Sequence, residues 1–288
     1  MKGKSMIGII GAGNHGTLMA MLVAQSNKYN VKLVDTAEEM LSRSHMYMEN
    51  LLLKRISKGL IDYQDYYSIF SNISVSTDIN SIIPSDVVIE CISEHQTSKT
   101  NLISKLDSII NQNSLLLTTT TSLSLTKLAA ASEFPSRVAG LHFFALPTAS
   151  KIVEIVSGLQ TSQETIQKTI EFTESLKKSY SLSQDFPGFI ANRIMFSFIN
   201  ESICSLAMGV AEKSDIDKTL RFVTGMNLGP IEMADEIGLD FVLESLKHFH
   251  KETGDDKYKP NPLLVNYVSA GWLGKKSGKG FYDYQSSI

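Results

Sequence analysis

Residues 6–16 read MIGIIGAGNHG, a short apolar run that leads directly into a turn with three glycines. A continuously apolar run is typical of a strand buried on both faces of a parallel sheet. The apolar segment at 18–24 predicts that a helix follows the turn. The turn has the spacing G-x-G-x-x-G, and its candidate cofactor-binding residues are Gly11, Gly13, Asn14, His15 and Gly16. In this context the spacing predicts a site for the pyrophosphate of a dinucleotide at a helix N-terminus, although glycines can also serve packing alone.

The second predicted strand, residues 31–34, ends at an acidic residue, Asp35, which lies 19 residues after Gly16. A carboxylate at about this distance from the glycine turn binds the ribose hydroxyls of the cofactor. Thr36 rather than an arginine follows Asp35, so a 2′-phosphate would meet a negative charge, and the sequence favours NAD over NADP. The alternative role for Asp35 is to cap the helix predicted after it.

Strand-like runs alternate with helical stretches through the rest of the first half. These runs are residues 87–92, 115–120, 138–142 and 152–156. The alternation predicts an α/β fold with a Rossmann-type, doubly wound, mostly parallel sheet. A helical insertion is expected at about 36–70. It carries Lys54, Arg55 and Lys58, which either meet the phosphates of an acyl carrier or form a solvated face.

A Pro-Gly break at 187–188 divides the chain. We therefore predict an NAD-binding domain over 1–186 and an all-α domain for dimerisation and substrate binding over 187–288. Apolar residues at helical spacing cover more than one face of the segment 189–211. Such a wide apolar arc predicts burial in the domain core or against a second subunit, and we expect a homodimer.

Composition excludes several classes of protein. The 288 residues include 27 Lys and Arg against 30 Asp and Glu, so the chain lacks the positive charge that nucleic-acid binding requires. We expect no secretion signal, because the apolar run at 6–10 is too short for one and leads straight into glycines. We expect no membrane span either, because no stretch of about 18 apolar residues occurs. Cys91 and Cys204 lie among apolar neighbours without metal-ligand spacing, which predicts free thiols in a cytoplasmic protein and no metal site.

His142 ends a predicted strand, and Glu154 lies 12 residues further along, inside the next one. The carboxyl ends of parallel strands are where α/β sheets bind ligands. A carboxylate beside an imidazole fixes its tautomer and raises its basicity, which suits a general base. Spacing alone does not pair these two residues, and a single histidine at a strand end is more often structural.

Six stretches resemble successive blocks of the (S)-3-hydroxyacyl-CoA dehydrogenase family, in the family's order, over residues 6–284. They read GIIGAGNHG, VVIECISEH, AGLHFFALPTASKIVEIVSG, QDFPGFIANRI, NLGPIEMADEIGLD and AGWLGKKSGKGFYDY. The resemblance implies an NAD-dependent oxidoreductase of fatty acid metabolism, of the 3-hydroxybutyryl-CoA dehydrogenase type. Such an enzyme interconverts an (S)-3-hydroxyacyl-CoA and a 3-oxoacyl-CoA by hydride transfer at C3.

The resemblance also implies roles for individual residues. The residues with a catalytic role would be His142 as acid/base, Glu154 as its partner, and Asn192 and Thr121 as groups that hold the substrate. The nicotinamide end of the cofactor would meet Glu94 and Lys99, and Lys58 would lie near the coenzyme A moiety. From its position alone, Asn192 has a second interpretation as a polar residue that opens a helix after the Pro-Gly break.

The chain departs from the family pattern near the cofactor. The family pattern N-T-S-S-L appears in this chain as TTTSL, so Thr121 replaces a serine that contacts the substrate. The family pattern H-F-F-N-P appears as HFFAL, so Ala145 replaces an asparagine near the nicotinamide. His95 replaces another asparagine, and Asn14 and His15 stand where the family has an uncharged residue and a methionine. Two alternatives therefore stay open. One is a related oxidoreductase of a carrier-tethered acyl thioester or a free hydroxy acid, and the other is a catalytically weak NAD-binding protein with a regulatory or structural role.

Overall fold

A computed structural model describes residues 4–144 and 146–284 of the protein. The described chain divides into two compact units, the first ending at Phe189 and the second beginning at Ile190. The first unit contains eight strands: β1 Ser5–Ile10, β2 Tyr29–Val34, β3 Ile73–Ser76, β4 Val87–Glu90, β5 Leu115–Thr118, β6 Val138–His142, β7 Ile152–Ser157 and β8 Ser179–Gln184.

These strands form a single sheet in the order β3-β2-β1-β4-β5-β6-β7-β8. Every neighbouring pair is parallel except β6 and β7, which run antiparallel. The order of the first six strands is that of the dinucleotide-binding sheet. The predicted Rossmann-type fold is therefore confirmed. The prediction missed β3 and β8, the two edge strands, because their half-exposed and polar residues do not form apolar runs.

Six helices flank the sheet: α1 Asn14–Gln25, α2 Glu38–Ser57, α3 Tyr63–Ser71, α4 Gln96–Asp107, α5 Leu125–Ala129 and α6 Gln163–Ser175. Alternation along each strand sends side chains to two hydrophobic clusters. In β1, Ile7 and Ile9 join the cluster that contains residues of α1, α2, α3 and α6. Ile10 joins the cluster that contains residues of α4 and α5. Both faces of the sheet are thus covered by helices, as is usual for a mainly parallel sheet.

The second unit is helical, which confirms the predicted all-α C-terminal fold. Its helices are α7 Ala191–Ala207, α8 Lys213–Thr224, α9 Pro230–Ile237, α10 Leu239–Thr253 and α11 Pro262–Ser269. Buried carboxylates tie these helices together. Asp217 accepts hydrogen bonds from the backbone of Ile231, at the start of α9 (2.8 Å), and from the Tyr282 hydroxyl (2.8 Å). Asp235 accepts from the backbone of Phe281 (2.9 Å) and of Tyr282 (2.8 Å), which anchors the C-terminal segment on α9.

A bilayer span requires a long, apolar helix. Among residues 4–144 and 146–284, no helix meets both requirements.

Candidate active site

The glycine turn joins β1 to α1, and each glycine meets a different constraint. Gly11 has a φ of 104°, and a Cβ there would lie 2.8 Å from the carbonyl oxygen of Cys91. A Cβ on Gly16 would lie 1.8 Å from the carbonyl oxygen of Gly11. A Cβ on Gly13 would meet nothing within 4 Å, so this glycine leaves open space before the N-terminus of α1. The turn therefore fits a dinucleotide, whose pyrophosphate the N–H groups at the start of α1 would hold.

Asp35 follows β2 and lies beside this turn. Its Oδ2 accepts a hydrogen bond from the backbone N–H of Ala12 (2.8 Å), and its Oδ1 accepts one from Ala37 (3.0 Å). The N-cap residue of α2 is Ala37, so the alternative that Asp35 is the helix cap is wrong. A carboxylate held next to the glycine turn suits the ribose role, which stays a prediction.

His142 and Glu154 lie opposite each other in the antiparallel pair of β6 and β7. Nδ1 of His142 lies 2.5 Å from Oε2 of Glu154, and both side chains are buried. The ring of Phe189 packs at 5.3 Å from the imidazole, measured between ring centroids. The structure thus brings together two residues that spacing alone could not pair. Because Nδ1 faces the carboxylate, Nε2 is the nitrogen that can exchange a proton with a substrate.

Glu94 organises the loop after β5. Its Oε1 accepts hydrogen bonds from the Thr120 hydroxyl (2.6 Å), from the backbone N–H (2.8 Å) and hydroxyl (3.3 Å) of Thr121, and from the backbone N–H of Ser122 (2.9 Å). Burial alone would raise the pKa of Glu94, but Lys99 and these hydrogen bonds lower it below its ordinary value. Glu94 is therefore ionised at neutral pH and fixes the position of Thr121.

Lys99 is only 1% exposed and is held by a carboxylate that the sequence analysis did not single out. Its Nζ lies 2.7 and 2.8 Å from the two carboxylate oxygens of Glu90, and 3.5 Å from Oε2 of Glu94. The Thr118 hydroxyl and the Ile92 backbone N–H also donate to Glu90, at 2.6 and 2.7 Å. An acidic residue at the end of the otherwise apolar run VVIE was the signal that could have revealed Glu90.

His15 occupies the second position of α1. Its ring meets Phe143 in an edge-to-face contact, with centroids 6.1 Å apart. Its Nε2 is buried and has no hydrogen-bond partner among the described residues. Burial lowers the pKa of His15 to about 4, with contributions from Lys99 and His142 that Glu94 opposes. The imidazole is therefore neutral at neutral pH. Asn14, the first residue of α1, is exposed.

The remaining predicted positions lie on separate elements. His95 is the N-cap residue of α4, where Nδ1 accepts a hydrogen bond from the Ser98 backbone (3.4 Å). Lys58 is the exposed C-cap residue of α2, a place where a cation also stabilises the helix dipole. Asn192 lies in the first turn of α7, in the second unit. Ala145 lies outside the described residues.

Cys91 lies beneath the glycine turn, against Gly11 and Gly16. Burial raises the pKa of its thiol to about 12. Both Cys91 and Cys204 are free cysteines. Within the part of the chain that the structure describes, no group of three or more His, Cys, Asp or Glu side chains is placed to hold a metal ion.

Comparison with known families accounts for nearly the whole chain. Residues 6–185 match the family described as "3-hydroxyacyl-CoA dehydrogenase, NAD binding domain". Residues 188–284 match "3-hydroxyacyl-CoA dehydrogenase, C-terminal domain".

Individual relatives agree with this match. A probable 3-hydroxybutyryl-CoA dehydrogenase of Bacillus subtilis is 37% identical over 277 residues, which is 96% of each chain. A 3-hydroxybutyryl-CoA dehydrogenase of Bradyrhizobium diazoefficiens is 34% identical over 98% of this chain and 96% of its own. The crystal structure of an (S)-3-hydroxybutyryl-CoA dehydrogenase from Ralstonia eutropha superimposes with a TM-score of 0.94 at 32% identity, covering 99% of this chain and 100% of that one.

The carboxylate beside the glycine turn leads to a prediction about cofactor choice. The protein should bind NADH more tightly than NADPH, because the Asp35 carboxylate would accept hydrogen bonds from ribose hydroxyls and would repel a 2′-phosphate. Replacing Asp35 by Ala should weaken NADH binding roughly tenfold or more, since hydrogen bonds to a charged group are lost. The same change should narrow the gap between the two cofactors. Titration of cofactor fluorescence measures all four dissociation constants, and equal affinity of the parent for NADH and NADPH would contradict the prediction.

Proposed function

Because the chain belongs to the 3-hydroxyacyl-CoA dehydrogenase family of NAD-dependent oxidoreductases, we propose that it interconverts an (S)-3-hydroxyacyl-CoA and the corresponding 3-oxoacyl-CoA. The observation that carries the proposal is the buried pair of His142 and Glu154, with Nδ1 and Oε2 2.5 Å apart. The relatives named for 3-hydroxybutyryl-CoA support a short acyl chain.

In this mechanism His142 moves the proton. With its Nδ1–H donated to Glu154, the neutral imidazole has its lone pair on Nε2 and removes the proton of the substrate 3-hydroxyl. The Glu154 carboxylate stabilises the imidazolium that forms. In the reverse direction the same imidazolium returns the proton to the carbonyl oxygen. Bound NAD supplies the hydride chemistry at nicotinamide C4.

The loop held by Glu94 orients the reacting groups. The Thr121 hydroxyl is proposed to bind the oxygen at C3, in place of the family's serine. The backbone N–H and the hydroxyl of Thr121 donate hydrogen bonds to Glu94, and these bonds hold the threonine in the loop after β5. Threonine keeps the hydroxyl, while its extra methyl restricts rotation about χ1 and so limits the orientations in which it can donate.

Two further substrate contacts rest on the resemblance. Asn192, which the family pattern retains in the block PGFIANR, is proposed to hold the substrate. Lys58 is proposed to meet a phosphate of coenzyme A, and its exposed side chain leaves the ammonium accessible to such a charge.

We propose also that the protein is a homodimer assembled through its second unit. Four large apolar side chains of that unit are 70–82% exposed: Met208, Val210, Phe222 and Val223. A cavity of about 350 Å³ between α7 and α8 lies at the same place, lined in part by Val210, Ile216 and Leu220. An exposed apolar surface of this kind is typical of a subunit interface.

The assigned role of His142 predicts a specific defect. Replacing it by Gln should lower kcat roughly 10²- to 10⁴-fold, because general acid/base catalysis is lost. NADH affinity should change little, since the imidazole acts on the substrate hydroxyl. Glu154→Gln, which keeps the shape but loses the charge, should give a milder loss of kcat. Steady-state kinetics, NADH titration and melting temperature on the same preparations test this, and a His142→Gln protein that is active but less stable would refute the mechanism.

A substrate panel separates the alternative functions. Acetoacetyl-CoA, an acetoacetyl thioester of acyl carrier protein, and free acetoacetate are each supplied with NADH, whose absorbance is followed. We expect the highest kcat/KM with acetoacetyl-CoA. A preference for the carrier thioester or the free acid would assign the protein to the related oxidoreductases, and binding of NADH without turnover of any substrate would indicate a regulatory role.

The exposed apolar surface predicts how the dimer can be broken. Light scattering should give twice the mass of one chain for the parent. The double change Val210→Asp and Phe222→Asp should give a single-chain mass, because it places charges in an apolar interface. Leu159→Asp is the matched control, since Leu159 is 87% exposed in the first unit and should leave the dimer intact. A parent of single-chain mass at micromolar concentration would contradict the proposal.

A further inference from the structure

His15 is a departure from the family pattern at a position where the cofactor must come close. It lies in the glycine turn at the start of α1, and it carries a polar ring where the pattern has methionine. Its Nε2 is buried without a hydrogen-bond partner among the described residues. A buried polar atom without a partner destabilises a folded protein, so its presence at a binding site indicates that a ligand supplies the partner.

The surroundings of His15 indicate which part of the cofactor this is. The imidazole meets Phe143, the residue after His142, edge to face. Lys99, His142 and Glu94 are close enough to act on its charge. These groups come from α4, the end of β6 and the loop after β4, all at the carboxyl edge of the sheet. The ring therefore faces the end of the site near His142, where hydride transfer is proposed to occur, and not the ribose end marked by Asp35.

The charge state of His15 is compatible with this end of the cofactor. Burial, Lys99 and His142 lower the pKa of His15 to about 4, so the ring is neutral at neutral pH. A neutral imidazole offers one donor and one acceptor nitrogen, whereas an imidazolium would repel the cationic ring of an oxidised nicotinamide. Methionine at this position could make no comparable hydrogen bond.

We propose that Nε2 of His15 forms a hydrogen bond with the carboxamide of the nicotinamide ring. This inference rests on the proposed function and deepens it. A primary carboxamide carries both an N–H donor and a carbonyl acceptor, so either tautomer of His15 finds a partner. The bond would restrict rotation of the nicotinamide ring about its glycosidic link, and His15 would help to select the ring face that is turned toward the substrate.

Binding of two ligands separates this contact from the others in the site. ADP-ribose has every part of NADH except the nicotinamide, and calorimetry gives both dissociation constants. Replacing His15 by Met should raise the dissociation constant for NADH roughly three- to tenfold, the range for one lost hydrogen bond. The constant for ADP-ribose should stay within about twofold, because the removed bond is absent from that complex. His15→Gln keeps a side-chain amide that donates and accepts, so it should retain more NADH affinity than His15→Met.

The melting temperature of the ligand-free protein distinguishes a ligand-binding role of His15 from a purely structural one. A structural role predicts that His15→Met lowers the melting temperature. His15→Met removes a buried nitrogen that has no partner, so the free protein should melt at the same temperature as the parent or higher. A lower melting temperature together with equal weakening of NADH and ADP-ribose would overturn the inference and assign His15 to packing or to the pyrophosphate. Unchanged NADH affinity in His15→Met would overturn it as well. If the parent binds neither ligand, the proposed function fails, and the inference fails with it.

Discussion

The antiparallel pairing of β6 with β7 is the constraint on which the candidate active site depends. All the preceding neighbours in the sheet are parallel, and parallel strands cannot place two residues of one short connection across from each other. The reversal at β7 sets Glu154 opposite His142 in the ladder of hydrogen bonds. The backbone register sets the two residues opposite each other, and the burial of both side chains restricts their movement apart.

A second set of charged residues lies at the carboxyl edge of the sheet. Glu90 holds Lys99, Lys99 approaches Glu94, and Glu94 gathers the backbone and hydroxyl groups of residues 120–122. A buried ion pair is costly to separate, since each charge alone would lack solvent. Lys99 therefore acts first as a link between the end of β4 and the loop after β5. The contact with the nicotinamide end that the resemblance implies would be made from a position that Glu90 and Glu94 set.

The sequence predicted the parts of the fold that depend on local pattern. Buried strand residues such as 7–10 include no polar side chain, and Gly16 leaves no room for a Cβ, which would lie 1.8 Å from the carbonyl oxygen of Gly11, so both features are visible in one short stretch. The edge strands β3 and β8 were missed because solvent tolerates polar residues there. Spacing and local pattern could not establish pairings between distant residues. The direction of β7 decides whether Glu154 meets His142, a pairing that only the family resemblance implied, and Glu90 is identified as the partner of Lys99 only by their distance. Which residue is the N-cap of α2 depends on backbone geometry. The sequence alone therefore could not show that Ala37, and not Asp35, occupies that position.

The position of Cys91 beneath the glycine turn has a chemical consequence. A cysteine must be a thiolate to be oxidised to sulfenic acid or to enter disulfide exchange. Burial raises the pKa of Cys91 to about 12 and so keeps this side chain a thiol. Its carbonyl oxygen and Cβ also line the space closed off by Gly11 and Gly16, so an added oxygen on sulfur would have to displace the turn. The glycine turn should therefore keep its shape under peroxide stress that modifies exposed thiolates elsewhere in a cell.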